Sequence, residues 1–90
     1  MINQFIIVGR IQEIKNEYVI VSVARQFKDE EGNYINDILR VVIKGSMFKD
    51  VKEYCKVGNI IGVKGRIENT DKNMELIAEK ITLLSSKKNK

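Results

Sequence analysis

The sequence predicts an all-β domain, a five-stranded barrel with one short helix between strands three and four. Apolar residues recur at strand spacing through most of the chain, and a single window, Ser46 to Tyr54, switches to helical spacing. Polar breaks separate these runs.

The first run is Asn3 to Ile14. Gly9 lies inside it, where a missing side chain marks a bulge or sharp bend that lets a long strand serve both halves of a curved sheet. Lys15, Asn16 and Glu17 make a tight break, so strands one and two form a hairpin. The second strand is Tyr18 to Arg25, with Val19, Val21 and Val23 alternating against Ile20, Ser22 and Ala24.

Gln26 to Asn36 is polar and charged, carries a Gly-Asn turn signal and reads as a protruding hairpin loop holding Phe27 and Tyr34. The third strand is Asp37 to Gly45. Leu39, Val41 and Ile43 face one way, and Ile38, Arg40, Val42 and Lys44 the other. In the helical window Ser46 is the expected N-cap, Met47, Val51 and Tyr54 share a face beside Phe48, and Lys56 and Gly58 suit the C-terminus. Strand four, Asn59 to Glu68, puts Ile61, Val63, Gly65 and Ile67 on one face and Lys64 and Arg66 on the other. After a turn at Asn69 to Asn73, strand five runs Met74 to Leu84.

Three strands, a short helix and two strands is the order of the OB-fold, a small Greek-key barrel. An SH3-like barrel normally lacks a full helix at that place, and a ferredoxin-like fold needs two helices. Residues 1–84 are read as one such domain and residues 85–90, SSKKNK, as a short basic tail.

Composition narrows the functional classes. Ninety residues make one domain with a thin core, for which oligomerisation is a plausible source of stability. No apolar run approaches the roughly 18 residues of a membrane span. Met1 to Arg10 has no basic segment before its apolar residues and no small-residue cleavage site, so it reads as structure rather than a signal peptide, with a cytoplasmic location expected. A lone cysteine, Cys55, permits no intramolecular disulfide. The absence of histidine excludes a zinc site built on Cys and His, and any Ser-His-Asp arrangement. Asp29, Glu30 and Glu31 are consecutive loop acids without a defined ligand geometry, and Gly9, Gly45 and Gly65 are too isolated to cradle a phosphate. No enzyme activity, metal or cofactor is expected. A net charge of +4 and a pI near 9.3 fit a polyanionic partner but are shared by many inert domains.

Three blocks carry a family resemblance. They are the opening MINQFIIVGRI with Asn3 and the Ile6 to Gly9 run, the stretch RVVIKGSMFKDVKEYCKVG from Arg40 to Gly58, and VKGRI from Val63 to Ile67. In this order they resemble the DNA-binding domain of bacterial and phage single-stranded-DNA-binding proteins, over nearly the whole chain. The resemblance implies single-stranded DNA as partner, in replication, recombination or repair, a homodimer or homotetramer joined through the first strand, and bases stacked on aromatics of the open sheet face. Phe27 stands where one such aromatic is expected. Where the family usually has Trp and Phe on strand three, this chain has Ile38 and Lys44. The family's acidic C-terminal tip, which recruits partner proteins, is replaced by Lys87, Lys88 and Lys90.

Single-strand binding needs cations along the phosphates and flat surfaces for bases. The candidate interface is Arg10, Arg25, Phe27, Lys28, Tyr34, Ile38, Arg40, Lys44, Lys64 and Arg66. For the cations the competing reading is an ordinary solvated barrel surface, and for Tyr18 it is a cap on the barrel end. Phe5, Phe48 and Tyr54 are read as core or interface. The sequence leaves RNA open as ligand. It also leaves open a primosomal-type OB-fold protein that mainly bridges replication or recombination proteins to DNA.

Overall fold

A computed structural model describes residues 2–71 and 73–85. The elements are β1 (Phe5–Lys15), β2 (Tyr18–Lys28), β3 (Tyr34–Val42), α1 (Gly45–Tyr54), β4 (Ile60–Asn69) and β5 (Met74–Ser85). The sheet closes as a barrel in the order β1-β2-β3-β5-β4, with the helix between β3 and β4 as expected. All neighbours are antiparallel except β3 and β5, which meet in parallel at Val41↔Leu76 and Val42↔Ile77.

Strand alternation puts Val19, Val21, Val41, Ile61 and Val63 into an interior where they are essentially inaccessible. Each such side chain stabilises the fold by roughly 1.5–3 kcal/mol. Phe48, Val51 and Cys55 from the helix end pack into the same cluster with Ile11 and Ile43, so α1 supplies part of the core. Tyr54, read as core or interface, is not in the core: it stands exposed on the solvent side of the helix's last turn.

β1 changes partner midway. Its first half, Phe5 to Arg10, pairs with β4, and its second half, Arg10 to Lys15, pairs with β2. Phe5 to Gly9 therefore have no partner in β2, and the residues after Ile11 none in β4, so each half of the strand is open on one side. The bulge lies between Ile11 and Glu13, not at Gly9. Gly9 marks the crossing itself: a Cβ there would stand 2.5 Å from the Ser22 carbonyl oxygen and 2.6 Å from Val21 Cγ1. Just before β1, the Asn3 amide donates to the Ile67 carbonyl at 2.6 Å and accepts from the Ile67 N–H at 3.0 Å. It thus continues the ladder with a side chain.

Three local expectations are corrected. Ser46 is not the N-cap. Gly45, at φ 65°, turns the chain sharply out of β3, so the helix starts one residue earlier with Lys44 at the cap position and no side-chain cap. At the other end Cys55 is extended and its N–H donates to the Val51 carbonyl, while Gly58 lies further on, in the turn to β4. The loop between β2 and β3 spans only 29–33, because both strands run on to Lys28 and Tyr34. A break in register between Ala24 and Lys28 lets β2 continue through Phe27.

Candidate nucleic-acid interface

The β2–β3 hairpin forms most of the candidate surface. Its register pairs Ile20 with Arg40, Ser22 with Ile38 and Ala24 with Asn36, and these residues alternate with the buried valines, so they face outward. Ile38 is 61% exposed at the position where the resemblance expects an aromatic. Arg40 is exposed on β3, as its strand position implies. Lys44 is exposed too but lies past the end of β3, which stops at Val42 and not at Gly45, at the cap position of the helix.

At the hairpin tip Lys28 pairs with Tyr34, and its Nζ stands 5.1 Å from the Tyr34 ring centroid. Phe27 beside it is 78% exposed and Tyr34 66%. Tyr34 sits on a strand end paired with Lys28, whereas Phe27, also within β2, falls in the break of register and has no partner in β3. The tip is tied by Asp29, whose Oδ1 accepts the N–H groups of Glu31 and Asn33 at 2.9 and 2.8 Å. Its carboxylate thus builds the turn. Among the described residues no group of three or more Asp, Glu, Cys or His side chains is placed to hold a metal.

The predicted cations divide into two kinds. Arg25 donates to both carboxylate oxygens of Asp37, at 2.9 to 3.2 Å. That hydrogen bonding holds the Asp37 carboxyl below its ordinary value and raises the Arg25 guanidinium. Arg66 is held by Glu68 on its own strand, Nε to Oε2 at 2.9 Å, and by Glu79 on β5 at 3.0 Å. Arg10 donates to the Gly58 carbonyl at 2.7 Å. By contrast Lys28, Arg40, Lys44 and Lys64 make no ion pair within 4.0 Å among the described residues.

Lys64 stands apart from the hairpin. It pairs with Ile6 and Lys80, on an outer surface it shares with Val8, Gly62 and Leu84. The tail lysines lie outside the described residues.

Two shallow grooves flank the hairpin. One, of about 370 Å³, lies where β1 leaves β2 and is lined by Arg10, Gln12, Ser22 and Asn36 among others. The second, of about 320 Å³, is lined by Arg40, Val42, Asn73, Met74 and Glu75. Sequence reasoning missed Gln12, Ser22, Asn36 and Asn73. The first three were legible as outward positions once the strand register was known, whereas Asn73 is brought in by barrel closure.

Tyr18 was also left out of the predicted site. The Arg40 guanidinium carbon lies 4.2 Å from its ring centroid, so Tyr18 belongs to the same surface.

The fold and this surface together define an OB-fold domain whose outward hairpin face carries exposed rings and cations without an ion-pair partner among the described residues. No protein-family model matches the chain. The chain resembles single-stranded DNA-binding proteins. It is 29% identical, over 108 aligned positions covering 99% of its length and 68% of the relative's, to single-stranded DNA-binding protein 3 of Listeria innocua serovar 6a. Its backbone follows that of the Saccharomyces cerevisiae mitochondrial single-stranded DNA-binding protein Rim1, with a TM-score of 0.72, 21% identity and coverage of 94% and 97% of the two chains. It also follows the Plasmodium falciparum SSB in its complex with ssDNA, with a TM-score of 0.71, 15% identity and coverage of 94% and 96%.

Proposed function

We propose that this chain binds single-stranded DNA without catalysis, in replication, recombination or repair within a bacterial or phage cytoplasm. The observation that carries the reading is the hairpin face, where Phe27 and Tyr34 stand open to solvent beside Lys28 and continue into Arg40 and Lys44, all cations without a carboxylate partner among the described residues. Exposed rings accept bases, and unpaired cations displace phosphate counterions. Arg10, Arg25 and Arg66 enter the interface less readily, since each must first leave a protein acceptor. Ile38 offers an apolar contact, and Lys64 a cation outside the hairpin face.

The assembly proposed is a homodimer or homotetramer with β1 at the contact. Ile6, Val8 and Leu84 are exposed together around Gly62 on the β1–β4–β5 side, and contiguous exposed apolar surface marks protein contacts. Among the described residues no helix is long and apolar enough to cross a membrane.

A second reading is favoured by the exposed Ile38 in place of a stacking aromatic. It is an OB-fold interaction protein that bridges replication or recombination proteins to DNA and binds nucleic acid weakly. Fluorescence-anisotropy titration of a labelled dT oligonucleotide at two salt concentrations, with duplex competitor, separates the two. Salt-weakened binding that duplex does not displace supports the single-strand binder. No binding at low salt overturns it and leaves the bridging protein. A matched rU oligonucleotide decides whether the 2′-hydroxyl matters.

A further inference from the structure

We propose that Tyr18 and Arg40 form one composite platform, in which the ring holds the guanidinium flat so that the guanidinium stacks against a nucleobase. This rests on the single-strand-binding reading and assigns Tyr18 a role in it. Three observations lead to the platform.

The first is the packing of the pair. Tyr18 opens β2 opposite Val42, and Arg40 stands opposite Ile20, so the two side chains are diagonal neighbours on one outward face. The 4.2 Å from guanidinium carbon to ring centroid is a close cation–π contact. One face of Tyr18 is thereby covered by Arg40. The group presented to a ligand is the guanidinium, which itself stacks on flat rings.

The second is the state of the other arginines. Arg10, Arg25 and Arg66 are engaged edge-on by oxygen acceptors. Arg40 alone is held by a ring, which restrains its plane and leaves its N–H groups without a carboxylate among the described residues. The third is the space beside it. The groove of about 320 Å³ shared by Arg40, Val42, Asn73, Met74 and Glu75 gives an inserted base an apolar neighbour in Met74 and an amide in Asn73. The platform would restore a stacking surface on β3, where Ile38 stands in place of an aromatic.

The test compares Arg40→Lys, Arg40→Ala, Tyr18→Phe and Tyr18→Leu by anisotropy titration of dT oligonucleotides across a salt series, with thermal melts as a folding control. Arg40→Lys keeps the charge and loses the plane. It should weaken binding on the order of tenfold with the salt slope unchanged, whereas Arg40→Ala should also reduce the slope by about one. Tyr18→Phe keeps the ring and should bind as the parent does. Tyr18→Leu should match Arg40→Lys, and the double variant Tyr18→Leu/Arg40→Lys should be no worse than either alone. An oligonucleotide with one abasic site scanned along it should lose affinity for the parent at the position stacked on Arg40 as well as at those stacked on Phe27 and Tyr34, and for Arg40→Lys at the latter alone.

Parent-like affinity of Arg40→Lys or Tyr18→Leu, with the parent binding dT well, overturns the platform and leaves Arg40 a phosphate contact. If Tyr18→Leu melts well below the parent, Arg40→Lys and the abasic scan decide on their own. Failure of the parent to bind single strands overturns the functional reading, and the platform with it.

Discussion

Replacing Phe27 with alanine tests the interface most directly, because the ring does little for the fold. At 78% exposure it has little buried surface to lose, so stability should change by no more than about 0.5 kcal/mol. Its contribution to binding is different. A base stacked on an aromatic contributes roughly 1–3 kcal/mol, and each 1.4 kcal/mol is tenfold in affinity. Phe27 stands at the tip of a hairpin whose break in register leaves it outside the paired ladder, so part of the gain is offset by ordering the ring on binding. The expected loss is therefore near the lower end, about tenfold for a dT oligonucleotide. Phenylalanine carries no charge, so the dependence of log K on log salt should keep its slope. Phe27→Tyr should restore affinity. Anisotropy titrations at four salt concentrations, paired with thermal melts, measure all three quantities. An affinity within twofold of the parent, at an unchanged melting temperature, would refute stacking at this position.

Asp37→Asn removes the carboxylate that holds Arg25 and should tighten single-strand binding about threefold, with the salt slope steeper by up to one, in the same titration. Because Arg25 keeps the Asp37 carboxyl below its ordinary value, acid should act the same way only after pH has fallen through the usual carboxylate range, where Asp37 protonates and the pair is lost. Gly9→Ala places a methyl against the Ser22 carbonyl and Val21 and should cost about 1–3 kcal/mol, read as a melting point lower by roughly 5–20 °C; an unchanged melt would show that the crossing can relax. Cys55 is 6% exposed and burial pushes its thiol up, so a disulfide reagent at pH 8 should label it only as denaturant unfolds the barrel, and rapid labelling of the native protein would contradict its packing.

The barrel was legible because valine and isoleucine alternate so regularly in β2, β3 and β4 that only one face of each strand can be the interior. The helix was legible from the spacing of Met47, Val51 and Tyr54, although the residues it buries are Phe48 and Val51. What could not be read was how far polar stretches remain paired. Phe27 and Tyr34 are surrounded by Gln, Lys, Asp and Asn, residues that suit loops, yet β2 runs on through Phe27 and the pairing resumes at Lys28 and Tyr34. The state of each cation was hidden for a related reason. Arg25 and Asp37 lie twelve residues apart, and only the hairpin register brings them together. Arg66 meets Glu79 only because β4 lies against β5. Charge type is written in the sequence, but whether a charge is already occupied depends on pairings set by the whole sheet.

The two residue pairs that join β3 to β5 bear on how a ligand would act on the protein as a whole. This parallel contact is the shortest in the sheet, and it links segments far apart in the chain. It is where the cylinder can most readily unzip into a curled ribbon. The groove that Arg40 shares with Met74 straddles that line. A strand of nucleic acid lying across it would work as a staple, present only on the closed form. By mass action it would favour closure by RT ln(1 + [L]/Kd), about 2.7 kcal/mol at a hundredfold excess over Kd. Occupancy would then show as slower amide exchange at Val41, a buried residue that does not line the groove.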